Sequence, residues 1–198
     1  MERYTPVVAL LVVDVQNDFA DPAGGLYVPG GEQVVPVVAA EVHAAWESGA
    51  PVFYTQDWHP ESTPHFERDG GRWPVHCVRD TWGAQLHPDL PVAGPVVRKG
   101  TGGEEGYSGF TVRDPVSGVA SATLLGMLLD GAGVRRVVVT GLAGDVCVKE
   151  TALDAVRLGY EVVVPLAATR FVNLHAGDDV TAIAELKRAG VVVQPESR

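Results

Sequence analysis

Short valine-rich runs recur along the chain, separated by stretches with helical spacing. Val7 to Val13 (VVALLVV), Val52 to Thr55 (VFYT) and Pro95 to Val97 (PVV) lie in the first half. Arg136 to Thr140 (RVVVT), Glu161 to Pro165 (EVVVP) and Val191 to Val193 (VVV) lie in the second. None alternates strictly, which is the pattern of strands buried on both faces of a parallel sheet. Between them, Val34, Val38, Val42 and Trp46 recur every four residues before Gly49. Leu124, Leu125, Leu128 and Leu129 precede Gly131 and Gly133; Ala152, Val156 and Leu158 precede Gly159; Ile183, Leu186 and Ala189 precede Gly190. Each glycine is placed to close a helix. Strand and helix in alternation predict βαβ units with right-handed crossovers. The expected fold is a three-layer α/β/α sandwich around a central, mostly parallel six-stranded sheet. The length of 198 residues suits one domain, 1–198, with a full core.

One region breaks the alternation. Trp58 to Gly94 carries five prolines, three tryptophans and four of the six histidines. A long loop of this kind inside a small domain is often functional. Charge narrows the partners: the formal net charge of -10 gives no positive field for nucleic acid or an anionic membrane. Val7 to Val13 is too short to span a bilayer and Asp14 ends it, so neither a signal peptide nor a membrane span is expected, and the cytoplasm is the expected compartment. The two cysteines, Cys77 and Cys147, are expected as free thiols, since one disulfide would be an odd staple for so large a core.

In open parallel sheets, sites form at the carboxyl ends of strands. Asp14 follows the first strand, Asp57 and His59 the second, Lys99 the third and Cys147 the fourth. Cys147 lies in TGLAGDVCVKETALDA, where a strand gives way through a tight turn to a helix starting around Asp145. A thiol there meets the positive end of the helix dipole and free N–H groups, which favour thiolate and can hold an oxyanion. A small cysteine packed under the sheet explains the residue equally well on its own. Asp14, in DVQNDF, is an acid at the end of an apolar strand, costly to bury without purpose and suited to accept the thiol proton. Lys99, in VVRKG, could hold Asp14 ionised; the two could also form a purely structural ion pair. Asp57, His59, His65 and His76, from QDWHPESTPHF and RWPVHCV, offer one carboxylate and up to three imidazoles. That set suits one divalent transition metal ion, with zinc first and manganese or iron as alternatives. His43, His87 and His175 have no comparable context, and Cys77 reads as a packing residue.

Taken together, these stretches resemble the isochorismatase-like cysteine hydrolases, and within them the nicotinamidase/pyrazinamidase group. The resemblance runs from about Val7 to about Val193. It implies the isochorismatase-like hydrolase fold, with Asp14, Lys99 and Cys147 as the catalytic set and Asp57, His59, His65 and His76 as metal ligands. GLAGDVCV resembles the nucleophile turn, which implies a cis peptide at Leu142–Ala143 and an oxyanion held by the N–H groups of Ala143 and Cys147. Phe19 and Trp73 would pack the faces of a substrate ring; plain core packing serves Phe19 equally well. YSGF, Tyr107 to Phe110, resembles the segment after the lysine. The implied reaction is nicotinamide to nicotinate and ammonia, in NAD salvage, through a thioester on Cys147, with the ring nitrogen bound by the metal. A homo-oligomer is left open.

Another amidohydrolase of this superfamily, acting on N-carbamoyl or ureido amides, would share the Asp-Lys-Cys set but not the metal ligands. A non-catalytic binding protein on the same fold has no need of all three catalytic residues. A flavodoxin-like nucleotide binder would need a glycine-rich phosphate loop after a strand, and none is present.

Overall fold

Every apolar run becomes a strand of one parallel sheet in the computed structural model, which describes residues 3–196. In chain order the elements are β1 (Val8–Val13), the short helix α1 (Asn17–Ala20), α2 (Gly31–Glu47), β2 (Val52–Asp57), β3 (Val96–Lys99), β4 (Thr111–Arg113) and β5 (Ala120–Ala122). They continue with α3 (Leu125–Gly131), β6 (Arg136–Leu142), α4 (Cys147–Arg157), β7 (Glu161–Pro165), β8 (Thr169–Arg170), α5 (Asp178–Arg188) and β9 (Val192–Gln194). The sheet order is β3-β2-β1-β6-β7-β9, all parallel, with β8 pairing alongside the end of β6.

The burial of β1 shows why the strands carry no polar face. All six of its residues are buried. Leu10 and Val12 pack with Val34, Val38 and Val42 of α2, while Ala9, Leu11 and Val13 pack with Leu125 and Leu129 of α3 and Val148 and Ala152 of α4. Side chains alternate across a strand, so the two apolar sets define two covered faces and a three-layer sandwich. Both cysteines are free and buried. Among the described residues no helix is long and apolar enough to cross a membrane.

The six expected strands are present, and the sheet has a seventh. β8 is two residues long and makes no apolar run, so periodicity could not reveal it. The antiparallel β4–β5 hairpin, whose β5 is fully exposed, lies apart from the main sheet and was equally invisible to a search for buried strands. The helix expected to begin around Asp145 begins instead at Cys147. Chain direction places the site. From β1 the strand order runs outward through β2 and β3 on one side and through β6, β7 and β9 on the other. The crevice of an open α/β sheet opens where the order reverses. At that seam Val13 pairs with Gly141, and a Cβ on Gly141 would lie 2.0 Å from the Val13 carbonyl oxygen. Only glycine permits this approach, and its φ of +106° favours glycine as well.

Candidate active site

Three strand ends deliver a compact charged cluster. Asp14 directly follows β1 and is fully buried, with a φ of +49° that a residue bearing a Cβ rarely adopts. Its Oδ1 accepts a hydrogen bond from Thr55 Oγ1 at 2.6 Å, and its Oδ2 accepts from Lys99 Nζ at 2.7 Å. Lys99, the last residue of β3, is 1% exposed and also donates to Asp57 Oδ1 and to the Gly106 carbonyl oxygen at 2.6 Å. An ammonium has three protons, so all are committed. Cys147 Sγ lies 3.9 Å from Lys99 Nζ at the first position of α4, where the N–H has no helical partner. The Leu142–Ala143 peptide is cis. Leu142 is packed in the core, while Ala143 lines the cavity beside Cys147.

One cation among two carboxylates and a thiol sets the protonation states. Burial raises Asp14, Lys99 draws it down and Asp57 raises it again, to about 6 overall. Burial works against the charge on Asp57, but Lys99 and then His59 hold its carboxyl below the usual range. Burial opposes the charge on Lys99, and Asp14 and Asp57 keep it firmly protonated. The thiol departs from the sequence expectation. Burial pushes Cys147 well above its ordinary value; Lys99 lowers it, and Asp14 and Asp57 raise it again. Burial first, with the two carboxylates adding to it, outweighs what the ammonium gives toward the thiolate.

The loop after β2 delivers a second cluster. His59, His65 and His76 each present a ring nitrogen, all within 4.8 Å of one another. All three are buried. Both ring nitrogens of His59 and Nδ1 of His65 have no hydrogen-bond partner. Buried polar atoms left unpaired cost about 1–3 kcal/mol each, and a cation is the partner that three converging imidazoles fit. Nδ1 of His76 lies 2.7 Å from the Pro74 carbonyl oxygen, which can only accept, so the proton sits on Nδ1 and the Nε2 lone pair is free. Burial, then the neighbouring imidazoles, lowers His65 to about 3. Burial lowers His76 to about 4 against the pull of Asp57. Both are therefore neutral at pH 7, the state that binds metals. Asp57 joins the clusters: Oδ1 meets Lys99, and Oδ2 stands 3.8 Å from His59 Nε2. Gly100 makes room, since a Cβ there would lie 2.6 Å from the His59 ring.

A cavity with about 430 Å³ of empty space, open to solvent, is lined by residues of both clusters, Cys147 and Ala143 with Asp57 and the three imidazoles. Phe19, Trp73 and Tyr107 line its walls, and Trp73 Nε1 donates to the Tyr107 hydroxyl at 3.0 Å. Of the residues singled out in the sequence, Phe19, Asp57, His59, His65, Trp73, His76, Ala143 and Cys147 line this cavity, while Asp14 and Lys99 lie buried behind it and Leu142 supplies only its peptide bond. Several supporting residues were missed. Gln16 bonds both backbone polar groups of Asp57, its Nε2 donating at 2.8 Å and its Oε1 accepting at 2.8 Å. Thr55 holds Asp14. Asp145 accepts the N–H groups of Val172 and Asn173, tying the turn before Cys147 to the cavity wall. The signal for Gln16 was its place in the short polar run Gln16-Asn17-Asp18, two residues after a buried strand.

The isochorismatase domain family matches residues 8–196. The chain belongs to the isochorismatase family. It is 35% identical to the nicotinamidase of Escherichia coli K12, over 95% of this chain and 94% of that one. Among solved structures it is similar to the pyrazinamidase of Pyrococcus horikoshii in complex with zinc, at 38% identity and a TM-score of 0.85, covering 96% of this chain and 99% of that one. A protein from L. infantum in complex with nicotinate superposes with a TM-score of 0.87 at 37% identity, covering 97% and 94%. The chain therefore shares fold and family with amidohydrolases, over nearly the full length of each.

Proposed function

We propose that the chain is a nicotinamidase, hydrolysing nicotinamide to nicotinate and ammonia in NAD salvage. The observation that carries the reading is the pairing of two unlike clusters around one apolar cavity. A thiol backed by a buried acid and a buried cation lines it, and so do three buried imidazoles, two of which carry nitrogens without partners. The family relatives named for nicotinamide and pyrazinamide hydrolysis, one in complex with zinc and one in complex with nicotinate, support the same reading.

In the mechanism, nicotinamide lies with its ring between Phe19 and Trp73 and its carboxamide against Cys147. Asp14 takes the Cys147 proton as sulfur attacks the carboxamide carbon, so no free thiolate is needed beforehand. The tetrahedral oxyanion is held by the N–H groups of Ala143 and Cys147. Asp14 returns the proton to nitrogen, the C–N bond breaks and ammonia leaves a thioester. Asp14 then takes a proton from water as its oxygen attacks the thioester; the C–S bond breaks, nicotinate forms and the thiol is restored. Lys99 keeps Asp14 aimed throughout and favours its ionised form each time the proton has been passed on. His59, His65 and His76, with Asp57, would hold a divalent ion, zinc in this reading with manganese or iron as alternatives. That ion, when bound, supplies an electron-pair acceptor for the pyridine nitrogen.

Ammonia release tests the reading, with nicotinamide and benzamide as substrates, before and after chelation. A site built around one polar contact rejects an analogue lacking it by roughly 10²-fold or more. Benzamide should therefore be poor, and chelation should abolish the preference. Equal rates on both amides, or faster release from an N-carbamoyl or ureido amide, would overturn the assignment.

A further inference from the structure

The imidazole cluster rests on a loop, and its backbone is fastened by a carboxylate that touches none of the reacting groups. Asp18 lies in α1, next to Phe19, and is buried. Its Oδ2 accepts the N–H of Cys77 at 2.6 Å, and its Oδ1 accepts the N–H of Gly25 at 2.8 Å. The Cys77 nitrogen belongs to the peptide unit that joins it to His76. One residue on, the Cys77 carbonyl oxygen accepts the N–H of His59 at 2.9 Å. A single short stretch therefore carries the backbone of two of the three imidazoles, and Asp18 grips its middle.

The grip has work to do. Cys77 has a φ of +47°, a left-handed conformation that a residue with a Cβ adopts only when its surroundings hold it there. Gly83 closes the far side of the carboxylate: a Cβ at Gly83 would lie 2.1 Å from Asp18 Oδ2, and the Gly83 carbonyl oxygen accepts the Asp18 N–H at 3.0 Å. Leu26 N–H returns to the Asp18 carbonyl oxygen at 3.1 Å. An ionised acceptor makes stronger bonds to N–H groups than a neutral one. The turn at 24–26, the His76–Cys77 link and the segment at 83 are thereby drawn onto one residue of α1, the first two through its carboxylate.

We infer that Asp18 is a positioning residue for the three-imidazole site, setting its cation affinity by fixing the His76–Cys77 peptide against α1. The inference rests on the reading of His59, His65 and His76 as metal ligands. Replacing a group that orients metal ligands from behind weakens affinity by about 10–100-fold. Asp18→Asn keeps the shape but sets an amide N–H against one of the two backbone donors; Asp18→Ala removes both acceptors. Gly83→Ala crowds the carboxylate without changing its charge.

The experiment loads metal-free protein with zinc alone, in competition with a chromophoric chelator, for the wild type, these three variants and His59→Ala. Thermal midpoints and the iodoacetamide rate at Cys147 are measured on the same metal-free samples. The expected result is one tightly bound zinc in the wild type, lost in His59→Ala. Affinity should be about tenfold weaker in Asp18→Asn and Gly83→Ala and up to about a hundredfold weaker in Asp18→Ala, with the Cys147 rate unchanged. Wild-type affinity in Asp18→Asn and Gly83→Ala overturns the inference and leaves the metal site standing. Affinity that falls only in step with the thermal midpoint and the Cys147 rate overturns it too, since that is general loosening. No zinc in the wild type, or none lost in His59→Ala, overturns the metal reading and this inference with it.

Discussion

Two buried polar clusters adjoin one cavity, and they are held in opposite ways. Asp14, Lys99 and Cys147 stand at the ends of strands or the start of a helix, so the sheet itself fixes their positions. Every proton of the Lys99 ammonium has an acceptor. The imidazoles hang from the loop after β2, where backbone ties replace secondary structure, and several of their nitrogens have no partner. The first cluster is complete as it stands; the second is completed by something the chain does not contain. A saturated polar cluster suits proton transfer among fixed groups, and an unsaturated one suits capture of an ion. That division predicts that damage on each side will have a different signature.

The largest effect should come from the nucleophile. Cys147→Ala removes the atom proposed to form the thioester and should lower kcat by roughly 10⁴-fold or more. Nicotinamide binding, assigned to the other cluster, should survive within a few fold by calorimetry. Loss of binding together with turnover would mean that the two clusters do not divide the work.

Lys99 comes next, and here stability moves as well. The structure buries the lysine between two carboxylates. Removing one partner from such a network leaves unpaired buried charge, at a cost of roughly 3–5 kcal/mol. Lys99→Ala should therefore shift the urea midpoint strongly as well as abolish turnover. A variant that is inactive yet as stable as the wild type would show that the carboxylates find other partners.

The legibility of the chain follows the same division. Strands buried on both faces leave continuous apolar runs, so β1, β2, β6 and β7 and the residues at their ends could be read directly. The β8 pair could not, because a two-residue strand has no period. Gln16 and Asp18 were hidden for a different reason. A polar run after a strand looks like a solvated turn, and only the folded chain shows that Gln16, Asn17 and Asp18 are buried and bonded to distant backbone. The raised pKa of Cys147 was equally out of reach, since it depends first on burial and then on the nearness of Asp14 and of Asp57, a residue read only as a metal ligand.

A smaller effect distinguishes the clusters by pH. Asp14 must be ionised to accept the thiol proton, and its pKa is raised to about 6. The kcat/KM for nicotinamide should therefore fall about tenfold per pH unit below about 6. His65 and His76, lowered to about 3 and about 4, stay neutral through that range and add no step there. The same shift acts on stability with a fixed sign. A carboxyl with a folded pKa above its unfolded value of about 3.9 favours the fold in its protonated form. Its contribution is fully present below about pH 4 and is lost as pH rises through about 6. Asp14→Asn should flatten that part of the stability profile, and a flat kcat/KM from pH 5 to 8 in the wild type would remove Asp14 from the proton path.

The smallest effect should be at Cys77, and it tests the comparison most closely because this thiol sits beside a metal-ligand candidate. Its backbone is fully engaged, the N–H with Asp18 and the carbonyl with His59, while its side chain packs in the core. Burial, then Asp57 and Asp18, pushes its thiol well above the ordinary value, so it is held neutral and enclosed. Alanine keeps the Cβ, the left-handed φ and both backbone hydrogen bonds, and loses only the packing of one sulfur. Cys77→Ala should therefore retain most of the turnover, with a stability loss of about 1 kcal/mol. Cys147 is also raised, but it lines the cavity and has Asp14 at hand, so brief iodoacetamide treatment should label Cys147 first and nicotinamide should protect it. Peptide mass mapping decides the point: alkylation at Cys77 in the wild type, with activity retained in Cys147→Ala, would move the nucleophile from the strand-end cluster into the loop and reverse the roles assigned to the two regions.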